Sequence, residues 1–203
     1  QTITVGGNWT NNATFDAGTG TVVFNGTSAQ AITTGGDSFN NVILDNSNGA
    51  INVLANGLEI DGTLTLNQSA TVTATDQNVT VAGAIDSQAS ETNSLTIDAG
   101  SNGNVVLQGA VGGINPLDSM EIDWADQITV GDIWANQINL QSDGDMSLNG
   151  TTYSAINNDL SLYSNDRILL TAGATTTTIS TSSAANLYIG AVDGVQDDVA
   201  GET

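Results

Sequence analysis

The sequence predicts an all-β chain wound as a β-solenoid, with coils of roughly 18–24 residues. Three observations predict it. A short unit, an apolar residue, any residue and a second apolar residue, recurs along the chain. Residues two apart share one face of a strand, so each unit offers two apolar side chains to the same side. The units also advance in two interleaved series: Met120 to Ile138 and Ile128 to Met146 are both 18 residues, while Ile138 to Leu160 and Met146 to Ile168 are both 22. The segments between them are rich in Gly, Asn, Asp, Ser and Thr, and none holds a helical period over three turns. One triplet cannot make a core, but stacked triplets can. A β-sandwich also gives short strands between turn signals, yet it supplies no reason for two series to step by equal amounts.

Taken in order, Ile3-Thr4-Val5 opens the chain and runs into Gly6-Gly7, followed by Trp9, Ala13 and Phe15 on odd-numbered positions. Val22-Val23-Phe24, Ala29-Gln30-Ala31-Ile32, Phe39 and Val42-Ile43-Leu44 come next. Ile51-Asn52-Val53, Leu58-Glu59-Ile60, Leu64-Thr65-Leu66, Val72-Thr73-Ala74 and Val79-Thr80-Val81 continue the pattern, often with β-branched residues outward. Residues 83–94 read as a polar loop. From Leu95-Thr96-Ile97 to Leu187-Tyr188-Ile189 the units are most regular. Asn-Gly and Asp-Gly pairs (Asn25-Gly26, Asn56-Gly57, Asp143-Gly144 and Asp193-Gly194 among them) give positive φ at low cost and mark corners of coils. Pro116, the sole proline, ends a turn that precedes a strand. Residues 1–191 are expected to form one continuous solenoid. Residues 192–203 are expected to form an acidic tail available for contact between subunits, and the best helical candidate lies after Val192.

There are 22 acidic residues against one basic residue, Arg167, for a formal net charge of −21, yet only 11% of residues are charged and 39% are hydrophobic. That hydrophobic content argues against disorder. The charge argues against nucleic acid, whose phosphates are met by Lys and Arg, and against anionic membranes. No run of about twenty apolar residues spans a bilayer, so no membrane insertion is expected. The absence of Cys excludes disulfides and thiol chemistry. Gln1 enters directly into a strand pattern, as expected of a mature chain whose leader has been removed. Few Lys and Arg mean few trypsin sites, which suits a secreted or cell-surface protein.

Catalytic chemistry has few candidates. With no His and no Cys, most acid–base and nucleophilic schemes lose their usual groups. Glycoside hydrolysis needs two carboxylates at a fixed separation, and the adjacent pair Asp197-Asp198 lies in the tail. The expectation is a protein that is not an enzyme, with a carbohydrate-active β-helix enzyme as the lesser alternative. Asp143-Gly144-Asp145 and Asp45-Asn46-Ser47-Asn48-Gly49 bring oxygen ligands close together, but neither matches a calcium loop. No metal site or cofactor is expected beyond adventitious calcium. Trp9, Trp124 and Trp134 are candidates for stacking on glycans or for covering a solenoid end. Arg167 precedes Ile168 as Asp145 precedes Met146, so the two should lie in register one coil apart, roughly 4.8 Å along the axis, as an ion pair. Thr63-Leu64-Thr65 and Thr71-Val72-Thr73 suggest an ice-binding face, but such rows do not recur in register.

Two stretches resemble known repeats. Trp9 to Phe15, Gly20-Thr21-Val22-Val23-Phe24-Asn25-Gly26, Gln30-Ala31-Ile32 and Phe39-Asn40-Asn41-Val42 are similar to a recurrent unit of large bacterial surface proteins. Leu95 to Gly100, Gly109 to Gly113 and Pro116 to Met120 resemble repeats of filamentous-haemagglutinin-like and autotransporter-like adhesins. The resemblance covers most of the chain. It implies a single-stranded right-handed parallel β-helix, exported to the cell surface or beyond as stalk, adhesin or fibre, and it carries over no catalytic residue. Such proteins usually run far longer than 203 residues. Independently, the sequence shows no cap at either end of the solenoid. The expected partners are copies of the chain itself, stacked head to tail into a fibre, together with surface glycans. The alternative is a fragment of a large glycan- or host-binding adhesin.

Overall fold

The structure, a computed structural model, describes residues 1–171, 176–182 and 184–197. Among these lie twenty-three short strands, β1 to β23 in chain order, and no helix. Every strand pairing is parallel, and the chain winds as a β-solenoid of about eight turns with three faces. The first face carries β1 (Thr2–Val5), β3 (Thr21–Phe24), β5 (Asn41–Leu44), β8 (Leu64–Leu66), β11 (Ile85–Ser87), a single bridge at Val111, the start of β16 (Ile133–Ser142), β18 (Thr152–Ala155) and β21 (Thr178–Thr181). The second carries β2 (Trp9–Thr10), β4 (Gln30–Thr33), β6 (Ala50–Ala55), β9 (Ala70–Thr73), β12 (Leu95–Asp98), the latter part of β14 (Leu117–Trp124), the end of β16, β19 (Leu160–Ser164) and β22 (Leu187–Ala191). The third carries a bridge at Phe39, then β7 (Leu58–Ile60), β10 (Val79–Val81), β13 (Val105–Leu107), β15 (Ile128–Val130), β17 (Met146–Leu148), β20 (Ile168–Leu170) and β23 (Val195–Asp197).

The strands form because each unit buries its two outer apolar residues and turns the middle one outward, where it is half-buried. β12, β13, β15 and β17 all alternate in this way. In-register parallel pairing then places like positions over one another. Val79, Val105, Ile128, Met146 and Ile168 form one inward column, and Leu95, Met120, Ile138 and Leu160 form another. All but Val79, at 1%, are fully buried. The steps along these columns vary, from 18 residues between Met120 and Ile138 to 27 between Leu160 and Leu187. The strands keep their register because the extra residues sit in the corners.

The first face is the one the triplet rhythm does not reveal. Its inward column runs Ile3, Val22, Val42, Leu64, Ile85, Val111, Ile133, Tyr153 and Ile179. It crosses the stretch read as a polar loop. Residues 85–87 are in fact strand β11, with Ile85 and Ser87 both buried. The polar appearance arises because the second inward position is Ser87. Its hydroxyl is satisfied by the backbone N–H of Asn93 at 2.9 Å and by Asn93 Nδ2 at 3.1 Å. After Val111 the chain leaves this face at Gly112–Pro116 and returns at Leu117, which pairs with Ala135. Asp86 Oδ1 holds the excursion by accepting the N–H groups of Ile114 and Asn115 at 2.9 and 3.1 Å. Gly112 makes it possible: its φ is +70°, and a Cβ there would collide with the Trp134 carbonyl.

A second-face column tapers along the axis. It holds Trp9, Ile32 and Val53 in the first coils, Ala74, Ala99 and Ala125 in the middle, and Ser142, Ser164 and Ala191 in the last. The aromatic weight accordingly sits at the N-terminal end. Trp9 packs edge-on against Phe15 and Phe39 with ring centroids 4.9 and 5.3 Å away, and Phe39 meets Phe24 at 5.8 Å. At the other end, residues 195–197 are not helical. They form β23, which pairs with β20 through Val195 and Ile168, so coil pairing extends beyond Ala191.

The inward and outward assignments differ sharply in expected cost. Ile128→Ala should destabilise the chain by about 2–5 kcal/mol in denaturant unfolding, and Thr129→Ala, one residue away and outward, by less than about 1 kcal/mol. Equal costs would contradict the assigned faces.

Candidate functional site

The surface along the coils is a set of hydrogen-bonded polar ladders. Asn78 Oδ1 accepts the N–H of Asn104 at 2.9 Å, and Asn104 Oδ1 accepts that of Gln127 at 3.2 Å. Asn136 Nδ2 donates to Asp118 at 3.0 Å, while its Oδ1 accepts from Asn157 at 2.7 Å. Asp132 Oδ1 accepts the N–H groups of Thr151 and Thr152 at 2.6 and 2.8 Å. These contacts join residues one coil apart. For these carboxylates the missing cations are replaced by amide donors of the next coil.

The same bonding engages part of both stretches singled out for oxygen ligands. Asp143 Oδ1 accepts Asn165 Nδ2 at 2.8 Å, and Asp145 is engaged by Arg167. Asn46 is buried, and its Oδ1 accepts the N–H of Asn48 at 2.8 Å as a local turn. Among the described residues no group of three or more acidic side chains is placed to hold a metal ion. Asp197 ends β23, and Asp198 lies outside the described residues.

Arg167 lies over Asp145. Its Nε donates to Oδ1 at 3.0 Å and a terminal nitrogen donates to Oδ2 at 2.5 Å, a two-point contact between residues one coil apart. The hydrogen bond to Asp145 and its charge hold the Arg167 guanidinium above its ordinary value. Desolvation, followed by the charge of Asp145, raises the carboxyl of Asp166. The three tryptophans are not brought together. Trp9 belongs to the N-terminal aromatic group, Trp124 lies on the second face at a bulge opposite Asp98, and Trp134 points outward on the first face beside Gly113. All three are half-buried.

The strongest departure from an ordinary surface is at the ends. Leu187, Ile189 and Val195 continue columns that are buried at Leu160, Leu162 and Ile168, yet they are 46, 42 and 52% exposed. Among the described residues β21, β22 and β23 each pair on one side only, with β18, β19 and β20. At the opposite end, among the described residues, β1 and β2 pair only with β3 and β4, and Ile3, Val5, Trp9 and Phe15 are half-buried against the core. Among the described residues both ends therefore carry unpaired strand edges and apolar side chains, on the first and second faces at the N-terminal end and on all three faces at the C-terminal end. Of the 22 acidic residues, 17 lie between Asp37 and Asp166, one (Asp16) precedes them and four (Asp193, Asp197, Asp198 and Glu202) follow, so the N-terminal coil is nearly neutral while the C-terminal end is acidic.

Comparison with protein-family models, curated proteins and solved structures finds no match, so the functional reading rests on this geometry.

Two measurements probe the interior and the ladder. Tyr153 is buried, donates to the Val130 carbonyl at 3.0 Å and accepts the Gly150 N–H at 2.8 Å. Burial pushes its hydroxyl above the ordinary tyrosine value. The unfolded chain therefore loses this proton at lower pH than the folded one, and stability should fall as pH rises above about 10. Tyr153→Phe should cost roughly 1–3 kcal/mol at neutral pH and make the alkaline decline shallower. For the ion pair, Arg167→Gln should lower the unfolding midpoint slightly at low salt, and the difference should vanish near about 1 M salt.

Proposed function

We propose that the chain is a non-enzymatic structural subunit, a β-solenoid that stacks end to end into a fibre or adhesive stalk outside the cell or on its surface. The observation that carries this reading is the terminal coil. Leu187, Ile189 and Val195 are exposed where their columns are otherwise buried, above strand edges with unused backbone donors and acceptors. An open parallel edge pairs with another strand unless something blocks it. Here the matching shape is the other end of a second copy. Such a contact joins unlike surfaces and has no rotation that must close, so it propagates as a filament. The charge pattern is compatible with the same direction: the acidic C-terminal end meets an N-terminal coil whose one carboxylate is Asp16, while the acidic flanks keep filaments apart sideways. The near absence of Lys and Arg, which leaves few trypsin sites, suits an extracellular setting.

The asymmetry of the ends favours a second reading. Trp9 and Phe15 pack over Phe39 at the N-terminal end, and nothing comparable is described over Leu187 and Ile189. These coils would then be one stretch of a larger glycan- or host-binding adhesin, with further coils over the open end.

Negative-stain electron microscopy over a concentration series separates the two. Long, unbranched fibres one solenoid wide, growing with concentration and not suppressed by salt, are expected. Monodisperse short rods at every concentration would remove the end-to-end reading.

A further inference from the structure

Resting on the end-to-end reading, we propose that the contact between copies continues the coil register, with Trp9 of one copy seated over Ala191 of the copy before it. The columns define what the next coil must present. On the first face the inward column ends at Ile179 and begins at Ile3, so Ile3 of the incoming copy falls over Ile179 and its outward neighbour Thr4 over Ser180. On the second face Trp9 heads the column that Ala191 ends. Two positions back along each strand, Gly7 heads the column that Ile189 ends, because Trp9 pairs with Ile32 and thereby sets Gly7 over Gln30.

The two ends are complementary in size at these positions. The C-terminal coil offers the exposed side chain of Ile189 and then a methyl group at Ala191. The N-terminal coil offers Gly7, where a Cβ would find open space within 4 Å, and then the indole of Trp9. Large meets small twice in succession. A slip of the incoming coil by two residues would put Trp9 on Ile189, large on large, and would leave Ala191 uncovered. The taper that crowds aromatics into the first coils thus also selects the register between copies, and Trp9 and Ala191 are its specificity residues.

The test uses the full 203-residue chain. Ala191→Trp should raise the concentration at half-assembly at least about tenfold in sedimentation velocity, and Trp9→Ala should weaken assembly in the same way. The double variant carrying both changes should recover part of the loss, which a general loss of folding would not allow. Because the chain has no cysteine, Thr4→Cys with Ser180→Cys in one chain gives a second readout. On oxidation it should yield a ladder of disulfide-linked multimers on a non-reducing gel. Wild-type fibres with no ladder, and with assembly indifferent to Ala191→Trp, would overturn the register while leaving stacking intact. Absence of wild-type assembly would overturn the stacking reading and this inference with it.

Discussion

Everything in this molecule depends on parallel in-register pairing between coils about twenty residues apart. Each coil contributes two or so apolar side chains per face, too few to bury one another. Burial comes from the coil above and the coil below, which repeat the same positions at roughly 4.8 Å. Val105, Ile128, Met146 and Ile168 are completely buried because each lies between two members of its own column. The same dependence leaves Leu187 and Val195 exposed, since no further described coil covers them. Core and exposed apolar end are therefore one pattern, interrupted at the last described turn.

The polar surface follows from the same constraint. When like positions stack at this spacing, charges of one sign would repel up the column. The chain instead alternates acceptors with neutral donors: Asp118 with Asn136 and Asn157, Asp132 with Thr151, Asp143 with Asn165. Inside, the few buried polar groups are also satisfied. Gln30 bonds the Val5 carbonyl, the Gly26 N–H and Asn46, and Ser142 and Ser164 both donate to the Gly144 carbonyl. A large negative charge is thus compatible with close stacking where carboxylates such as Asp118, Asp132 and Asp143 are held by the coil next to them.

Much of this was legible from residue spacing. The equal steps of 18 and 22 residues are the pairings of Met120 with Ile138 and of Met146 with Ile168, and the offset of Arg167 from Asp145 is one coil. The first face was not legible as a column, because it mixes single bridges at Val111 with the Ser87 inward position and is interrupted by Gly112–Pro116. Its steps are also irregular, 20 residues from Ile133 to Tyr153 and 26 from Tyr153 to Ile179. The strand at Val195–Asp197 was hidden in an acidic tail with only one apolar residue facing its column. Nor does spacing reveal the taper from Trp9 to Ala191, which requires knowing which corner each residue occupies. The exposed apolar end follows from the column pattern, but its match to the first coil follows only from the assembled register.

The central claim is that register, and engineered disulfides test it most directly in a chain with no cysteine of its own. Thr129 and Ser147 are outward register partners on the third face. Thr129→Cys with Ser147→Cys should close quickly into an intramolecular disulfide under mild oxidation, because adjacent parallel strands bring the Cα atoms within bridging range. Thr129→Cys with Ser161→Cys, placed on different faces, should stay reduced. Closure of the second pair in preference to the first would contradict the parallel stacking from which the ends, the ladders and the proposed assembly all follow.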